Sequence, residues 1–231
     1  MSFFSDISAI QNIVYIFSSI LFISGIKMLG KEDTAVRGNF LSASAMFIAV
    51  AVTIINVVNP VIVLIGVSIG AVIGSLIALR VKMTSIPEMA ALFNGFGGLA
   101  TFFIAWSEFN AIPDNVFQYI VIMLTTYIGG VTFSGSIIAY GKLSEKLKVK
   151  KDSFVTKIFT TFFYASILFL VYSIGFTEII ELPINFYTVL LILTLLGGIG
   201  FVIPIGGGDM PVVISLLNSF SGIAAAFAGL L

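Results

Sequence analysis

The sequence contains no cysteine and no histidine, and it has few charged residues. Without cysteine the chain forms no disulfide, no thiol nucleophile and no thiolate metal site. Without histidine it lacks the side chain that titrates most readily near neutral pH. Charged residues make up 10% of the chain, whereas soluble domains carry about 25%. The formal net charge of +0 gives no general attraction to nucleic acid, so we expect no nucleic-acid partner.

Apolar residues dominate what is present. They account for 59% of the chain, and the mean hydropathy is +1.17. Such a chain cannot cover itself with a normal polar surface, so we predict an all-α integral membrane protein that lies in a lipid bilayer. The N-terminus, "MSFFSDISAI", has no basic region and carries Asp6. The first apolar segment is therefore predicted to be a retained span and not a cleaved signal.

Segments long enough to cross a bilayer recur along the whole chain. A spanning helix needs about 20 mostly apolar residues, and charged or turn-forming stretches separate the candidates. We predict one transmembrane domain over residues 1–231, a polytopic bundle of about eight transmembrane helices. The predicted spans are 9–29, 39–58, 60–80, 89–107, 116–140, 157–176, 186–205 and 211–231.

Basic residues are confined to the first, third and fifth loops and their edges. They are Lys27, Lys31, Arg37, Arg80, Lys82, Lys142, Lys146, Lys148, Lys150, Lys151 and Lys157. The fourth loop carries Asp114 instead, and the sixth carries Glu178 and Glu181. By the positive-inside rule, the odd-numbered loops face the cytoplasm and both termini lie outside. We therefore expect a bacterial inner-membrane protein with no cytoplasmic domain after Leu231.

Small and polar residues form one face of the last span and bulky residues another. The small face holds Ser215, Asn218, Ser219, Gly222, Ala226 and Gly229. The bulky face holds Leu216, Phe220, Ile223, Phe227 and Leu230. We expect the small face to pack on neighbouring helices and the bulky face to meet lipid.

The fourth span shows the same division, and the third and fifth spans are rich in glycine. In the fourth span the small face holds Ala90, Ala91, Asn94, Gly97, Gly98, Thr101 and Ala105, and the bulky face holds Leu92, Phe96, Leu99 and Phe103. The third span carries Gly66, Gly70 and Gly74, a spacing that lets helix backbones approach closely.

Three polar side chains reach a similar depth from the predicted inner ends of their spans. At about 1.5 Å per residue, Asn94 lies roughly 8 Å in, Ser134 roughly 10 Å and Asn218 roughly 12 Å. Unpaired polar groups in hydrocarbon are costly, so these side chains would pair with each other or with water held between helices. Simple interhelical hydrogen bonding is the alternative interpretation.

Three stretches resemble a known family: "PEMAALFNGFGGLA", "FSGSIIAYGKL" and "GGGDMPVVISLLNSFSGIAAAFAGLL". They resemble the membrane part of the beta subunit of proton-translocating NAD(P) transhydrogenase, in order and at suitable distances. The resemblance implies a complex that couples hydride transfer between NAD(H) and NADP(H) to proton movement. It also implies an alpha-subunit partner with membrane helices and an NAD-binding domain, a dimeric assembly and a separate or missing NADP-binding domain. This chain itself would bind no nucleotide or metal and hold no catalytic residue.

The resemblance also implies roles for individual residues. Asn218 matches an asparagine of the proton pathway, and Ser134 falls in a segment that lines it. Asp209, with Gly208 beside it, matches an acid at the cytoplasmic mouth where the nucleotide domain docks. Asn94 matches a position that is histidine in some members. Asparagine there marks a branch in which the membrane histidine lies on a helix of the partner polypeptide.

Other functions stay open on the residues alone. A small-solute or ion transporter would also have glycine-interrupted helices and a site at mid-membrane, and a structural subunit without conduction would tolerate Ala or Leu at Asn94 and Asn218. A glycine run before a helix can also bind phosphate. Against that reading, Asp209 would repel the anion and the dinucleotide fingerprint is absent.

Overall fold

The computed structural model describes residues 2–55, 57, 59–111, 115–150, 153–176 and 184–231. These residues form helices and no strand. The helices are α1 (Ser2–Leu29), α2 (Ala35–Ile54), α3 (Pro60–Arg80), α4 (Ile86–Asn110), α5 (Val116–Leu143), α6 (Phe154–Phe176), α7 (Ile184–Val202) and α8 (Met210–Ala228). Short 3₁₀ helices at Met83–Ser85 and Gly207–Asp209 precede α4 and α8.

Eight helices in the described part of the chain are long and apolar enough to cross a membrane. The predicted all-α, multi-pass membrane fold is therefore confirmed. Proline marks the first turn of three of these helices, at Pro60, Pro87 and Pro211, where the missing N–H costs no helical bond. Asp114, Lys151, Glu178 and Glu181, which entered the prediction of orientation, lie outside the described residues.

The chain divides into two compact units, Met1–Arg80 and Val81–Leu231. In the first unit α1 and α2 form an antiparallel hairpin. A Cβ placed on Gly38 would lie 2.7 Å from the carbonyl oxygen of Gly25, so the two backbones are in direct contact there. Near the other end of the hairpin, the Gln11 side chain donates to the Val52 carbonyl at 3.0 Å.

The third helix of the first unit, α3, has no buried residue. A Cβ placed on Gly66, Gly70 or Gly74 would meet nothing within 4 Å. The prediction that another helix packs closely on these glycines is therefore wrong for the chain by itself. Glycines at this spacing give the helix a smooth surface, but a close approach also needs the backbone of an opposing helix.

In the second unit α5 is the central helix and packs against α4, α7 and α8. Glycines bring the backbones together. A Cβ on Gly98 would lie 2.8 Å from the Gly129 carbonyl oxygen, and a Cβ on Gly129 equally close to that of Gly98. On its other side α5 meets Gly198 of α7, whose Cβ position would collide with Ser134 and with the Val131 backbone.

Apolar clusters occupy the two ends of this unit, and polar side chains lie between them along α5. One cluster is built around Phe109, Met123 and Tyr187, and the other around Val202, Met210 and Leu217. Between them Thr125 and Thr132 are fully buried and donate to carbonyls of their own helix, four residues earlier. Local bonds of this kind let hydroxyls lie in an apolar interior at little cost.

Candidate functional site

Asn94 joins α4 to α8 through two hydrogen bonds. Its side-chain amide donates to the Ile214 carbonyl at 3.3 Å, and its own backbone carbonyl accepts from the Ser221 hydroxyl at 3.1 Å. The Asn94 side chain is partly exposed, and its Oδ1 has no partner in the described part of the chain. The amide therefore fixes one helix against the other and keeps an acceptor available.

Asn218 lies on α8 between the two residues that contact Asn94. It follows Ile214 by four positions and precedes Ser221 by three, so all three share one side of the helix. Asn218 is exposed and forms no hydrogen bond with any described residue. Gly97 of α4 is exposed beside Ser221, whose Oγ would lie 3.8 Å from a Cβ at Gly97. We name the open strip formed by Asn94, Gly97, Asn218 and Ser221 the α4–α8 seam.

The small face of α8 does not pack on neighbours within this chain, contrary to the prediction. Its members Ser215, Asn218, Ser219, Gly222, Ala226 and Gly229 are all exposed. The buried positions are Met210, Val213, Ile214, Leu217 and Ala224. The reason lies on α5, where the glycine at 135 makes room for Leu217, whose side chain would be 3.4 Å from a Cβ there. The small residue at this contact is therefore on α5, and α8 contributes a bulky one.

The predicted faces of α4 agree better with the structure. Ala91, Gly98, Thr101 and Ala105 are buried, whereas Phe96 and Phe103 are 61% and 50% exposed. Gly97 is the exception, because it is exposed along the seam. Leu216 and Ile223 on α8, predicted to face lipid, are exposed as well.

Ser134 is buried but faces α7. Its hydroxyl donates to the Gly130 carbonyl at 3.0 Å and lies against Gly198. It forms no hydrogen bond with either asparagine. The structure thus brings Asn94 and the Asn218 segment together and leaves Ser134 at a different helix interface.

A second serine, Ser136, faces α4 at Gly95. Its Cβ would lie 3.1 Å from a Cβ at Gly95, the residue after Asn94. The side chain is fully buried, and its hydroxyl has no hydrogen-bond partner in the parts of the chain that the structure describes. Sequence reasoning missed Ser136, although its place two positions after Ser134 in "FSGS" puts it about 200° around the helix.

Gly208 and Asp209 lie at the start of α8. Both are exposed, and nothing lies within 4 Å of a Cβ placed on Gly208. Asp209 precedes α8 directly and forms no side-chain cap. Its carboxylate lies back towards Gly206, 3.8 Å from a Cβ position there. The carboxylate is therefore available to a second protein surface.

The seam itself contains amides, a hydroxyl and glycine but no acid or base. Among the described residues, no group of three or more His, Cys, Asp and Glu side chains could hold a metal ion. Such a site can hold water and orient it, because each amide offers both donors and acceptors. It has no group that changes its protonation near neutral pH.

Comparison with known proteins places the chain in a family. Residues 11–231 match the family described as NAD(P) transhydrogenase beta subunit. This chain belongs to that family. Two relatives, both NAD(P) transhydrogenase subunit beta from Rhodospirillum rubrum, are 33% identical over 227 residues. The match covers 93% of this chain and 48% of each relative, so the chain spans about half the length of these curated relatives.

Membership of the beta subunit family confirms the resemblance drawn from the three motifs. All three lie within the matched residues, and the last one contains the whole of α8. The chain is thus a multi-pass membrane member of the NAD(P) transhydrogenase beta subunit family. The residues of the seam and of the segment before α8 belong to the stretches that carried the resemblance.

Proposed function

We propose that this chain is the membrane proton-channel part of an energy-coupled NAD(P) transhydrogenase, in which proton translocation is coupled to hydride transfer between NAD(H) and NADP(H). Family membership supports the assignment to that complex. The observation that supports the proton path is the α4–α8 seam, where two hydrogen bonds join Asn94 to α8 on either side of the exposed Asn218.

In this proposal the residues of the seam hold and orient water. The Asn94 Oδ1 and the whole Asn218 amide are available to bind it. Ser134 has a different role, since it supports the α5–α7 contact that holds α5 in place.

The proton carrier itself lies on another polypeptide. Amides and aliphatic hydroxyls do not titrate in the working pH range, and this chain has no histidine. Transfer across the middle of a membrane needs a titrating group or a water chain that leads to one. We assign that group to a histidine on a membrane helix of the alpha subunit, facing the exposed side of α8.

Hydride transfer takes place on nucleotides held by other domains of the complex. NAD(H) binds to the alpha subunit and NADP(H) to its own binding domain. The NADP(H) domain docks at Gly208 and Asp209, where the exposed carboxylate and the unobstructed glycine lie. We propose a dimeric complex in the bacterial inner membrane, in which the described helices form one membrane domain and both termini lie outside.

The orientation can be tested by cysteine labelling, because the chain has no native cysteine. Cysteines replacing the exposed residues Ala111 and Lys150 should react with an impermeant maleimide from opposite sides of the membrane. If one side labelled both, this topology would be wrong.

The position of the carrier can be tested by restoring histidine to this chain. In the reconstituted complex, removal of the membrane histidine of the alpha subunit should stop proton pumping. Asn94→His should then restore it, since Asn94 lies on the same seam. Gln at position 94 is the matched control and should not rescue. Full pumping by a complex without any membrane histidine would contradict the proposed carrier.

A further inference from the structure

Lys142, near the end of α5, donates to three backbone carbonyls. They belong to Val202, Ile203 and Ile205, where α7 ends and the connection to α8 begins. An ammonium group has three N–H donors. All three are used, and every acceptor comes from one short segment. Lys142 thus fills a cradle that this segment forms around a single cation.

These carbonyls lie at the end of α7 and just beyond it: Val202 is the last residue of the helix and also accepts from the Ile205 N–H at 3.1 Å, whereas Ile203 and Ile205 follow the helix. The last four carbonyls of an α-helix have no partner within it, and they carry the negative end of its dipole. Val202 and Ile203 are buried, at 0% and 4% exposure, whereas Ile205 is partly exposed. A cation from a neighbouring helix satisfies both the hydrogen-bond demand and the charge.

The segment held by Lys142 leads directly into residues 206–209. A cavity of about 250 Å³ lies beside it and is lined by Lys142, Glu145 and Lys148 on one side and by Gly206 and Gly207 on the other. Gly206 is also the residue towards which the Asp209 carboxylate folds. A Cβ placed on Gly207 would meet nothing within 4 Å, and one on Gly206 would meet only the Asp209 carboxylate at 3.8 Å, so side-chain packing does not hold these glycines in place.

We propose that Lys142 is a positioning residue, which fixes the end of α7 to α5 and thereby sets the position of Gly206–Asp209 at the start of α8. The positioning role does not depend on the proposed function; only the link between Lys142 and proton coupling rests on it. If Asp209 is the docking point for the NADP(H) domain, the Lys142 cradle is the link through which docking reaches the α5 and α8 helices.

The position of the segment can be measured with a nitroxide label at residue 207. Gly207→Cys is suitable because a Cβ there meets nothing within 4 Å, and the full chain has no other cysteine. The labelled chain is studied in proteoliposomes by electron paramagnetic resonance. Lys142→Met keeps the length of the side chain and removes every donor, whereas Lys142→Arg keeps the charge and donors.

Lys148→Met is the matched control, because Lys148 lines the same cavity but is exposed and donates to no described carbonyl. A label at Ala43→Cys, an exposed position of α2, reports whether the chain is folded. We expect Lys142→Met to shorten the rotational correlation time of the label at 207 at least about twofold. Lys148→Met should leave it unchanged, and Lys142→Arg should restore most of the immobilisation.

An immobile label at 207 in folded Lys142→Met would overturn the proposal, as would equal mobilisation by Lys148→Met. If Lys142→Met does not fold, Lys142→Gln takes its place, since its amide keeps two donors and should give intermediate mobility. Parental mobility in Lys142→Gln would likewise overturn it. Mobilisation without any change in proton pumping by the assembled complex would support the positioning role and contradict the coupling role proposed for Asp209.

Discussion

Two glycine-rich helices, α3 and α5, have very different surroundings. On α3 the glycines at 66, 70 and 74 meet nothing, and no residue of the helix is buried. On α5 the glycines at 129, 130 and 135 are buried against backbone or side chains of α4, α7 and α8. The same composition therefore marks either an open surface or the centre of a bundle, and the opposing helix decides which.

The contacts of α5 show what its glycines accomplish. Gly129 brings α5 against the Gly98 carbonyl, and Gly130 lies against Thr194 of α7. Polar groups of neighbouring helices thus come close enough to be buried together. The comparison indicates that the second unit, built around α5, carries the polar interior, whereas α3 of the first unit contributes an apolar surface.

The largest effect is expected when a glycine of α5 is substituted, in comparison with a glycine of α3. Gly129→Leu should destabilise the chain strongly, because its Cβ alone would lie 2.8 Å from the Gly98 carbonyl oxygen and from Thr101. Overpacking of this kind costs about 1–3 kcal/mol or more. Gly70→Leu, the control on α3, should leave the Tm in detergent unchanged. Equal Tm values for the two variants would remove the distinction between the helices.

A smaller loss is expected from the polar interior. Tyr187 is 1% exposed, and its hydroxyl bonds to Thr126 of α5 at 2.7 Å. Tyr187→Phe leaves the threonine hydroxyl unpaired, which costs about 1–3 kcal/mol. Tyr164→Phe is the control, since Tyr164 is 61% exposed. Thermal unfolding of both variants checks the prediction, and it fails if Tyr187→Phe is as stable as the parent.

The smallest effect is expected at Ser136. Its buried hydroxyl has no partner in the described structure, so Ser136→Ala removes no protein hydrogen bond. The free energy of unfolding should change by less than about 0.5 kcal/mol or rise slightly. Thr126→Val, which breaks the bond to Tyr187, is the contrasting variant. A loss at Ser136→Ala as large as that of Thr126→Val would contradict this assessment.

The number of helices and the α4 faces could be predicted from the sequence, but several contacts could not. Hydropathy determines which segments enter lipid, and the bulky Phe96 and Phe103 of α4 face outward as expected. Periodicity does not identify the opposing helix, so the exposed small face of α8 and the open glycines of α3 were predicted wrongly.

Only part of the site could be predicted, because the sequence does not show which helix each side chain faces. Equal depth suggested that Asn94, Ser134 and Asn218 meet, yet depth leaves rotation about the helix axis undefined. Ser134 turns to α7 while Ser136 turns to α4. The contacts of Lys142 could not be predicted from the sequence. Their acceptors are backbone carbonyls, which every residue type has.

Proton pumping by an Asn218 variant tests most directly whether the α4–α8 seam is the proton path. The complex is reconstituted in vesicles with its alpha subunit and NADP(H)-binding domain, and pumping driven by hydride transfer is followed with a pH-sensitive dye. Val212→Leu is the control, because Val212 is on the same helix and 73% exposed. We predict that Asn218→Leu abolishes pumping while Val212→Leu keeps it. Pumping by Asn218→Leu at the parental rate would contradict the account.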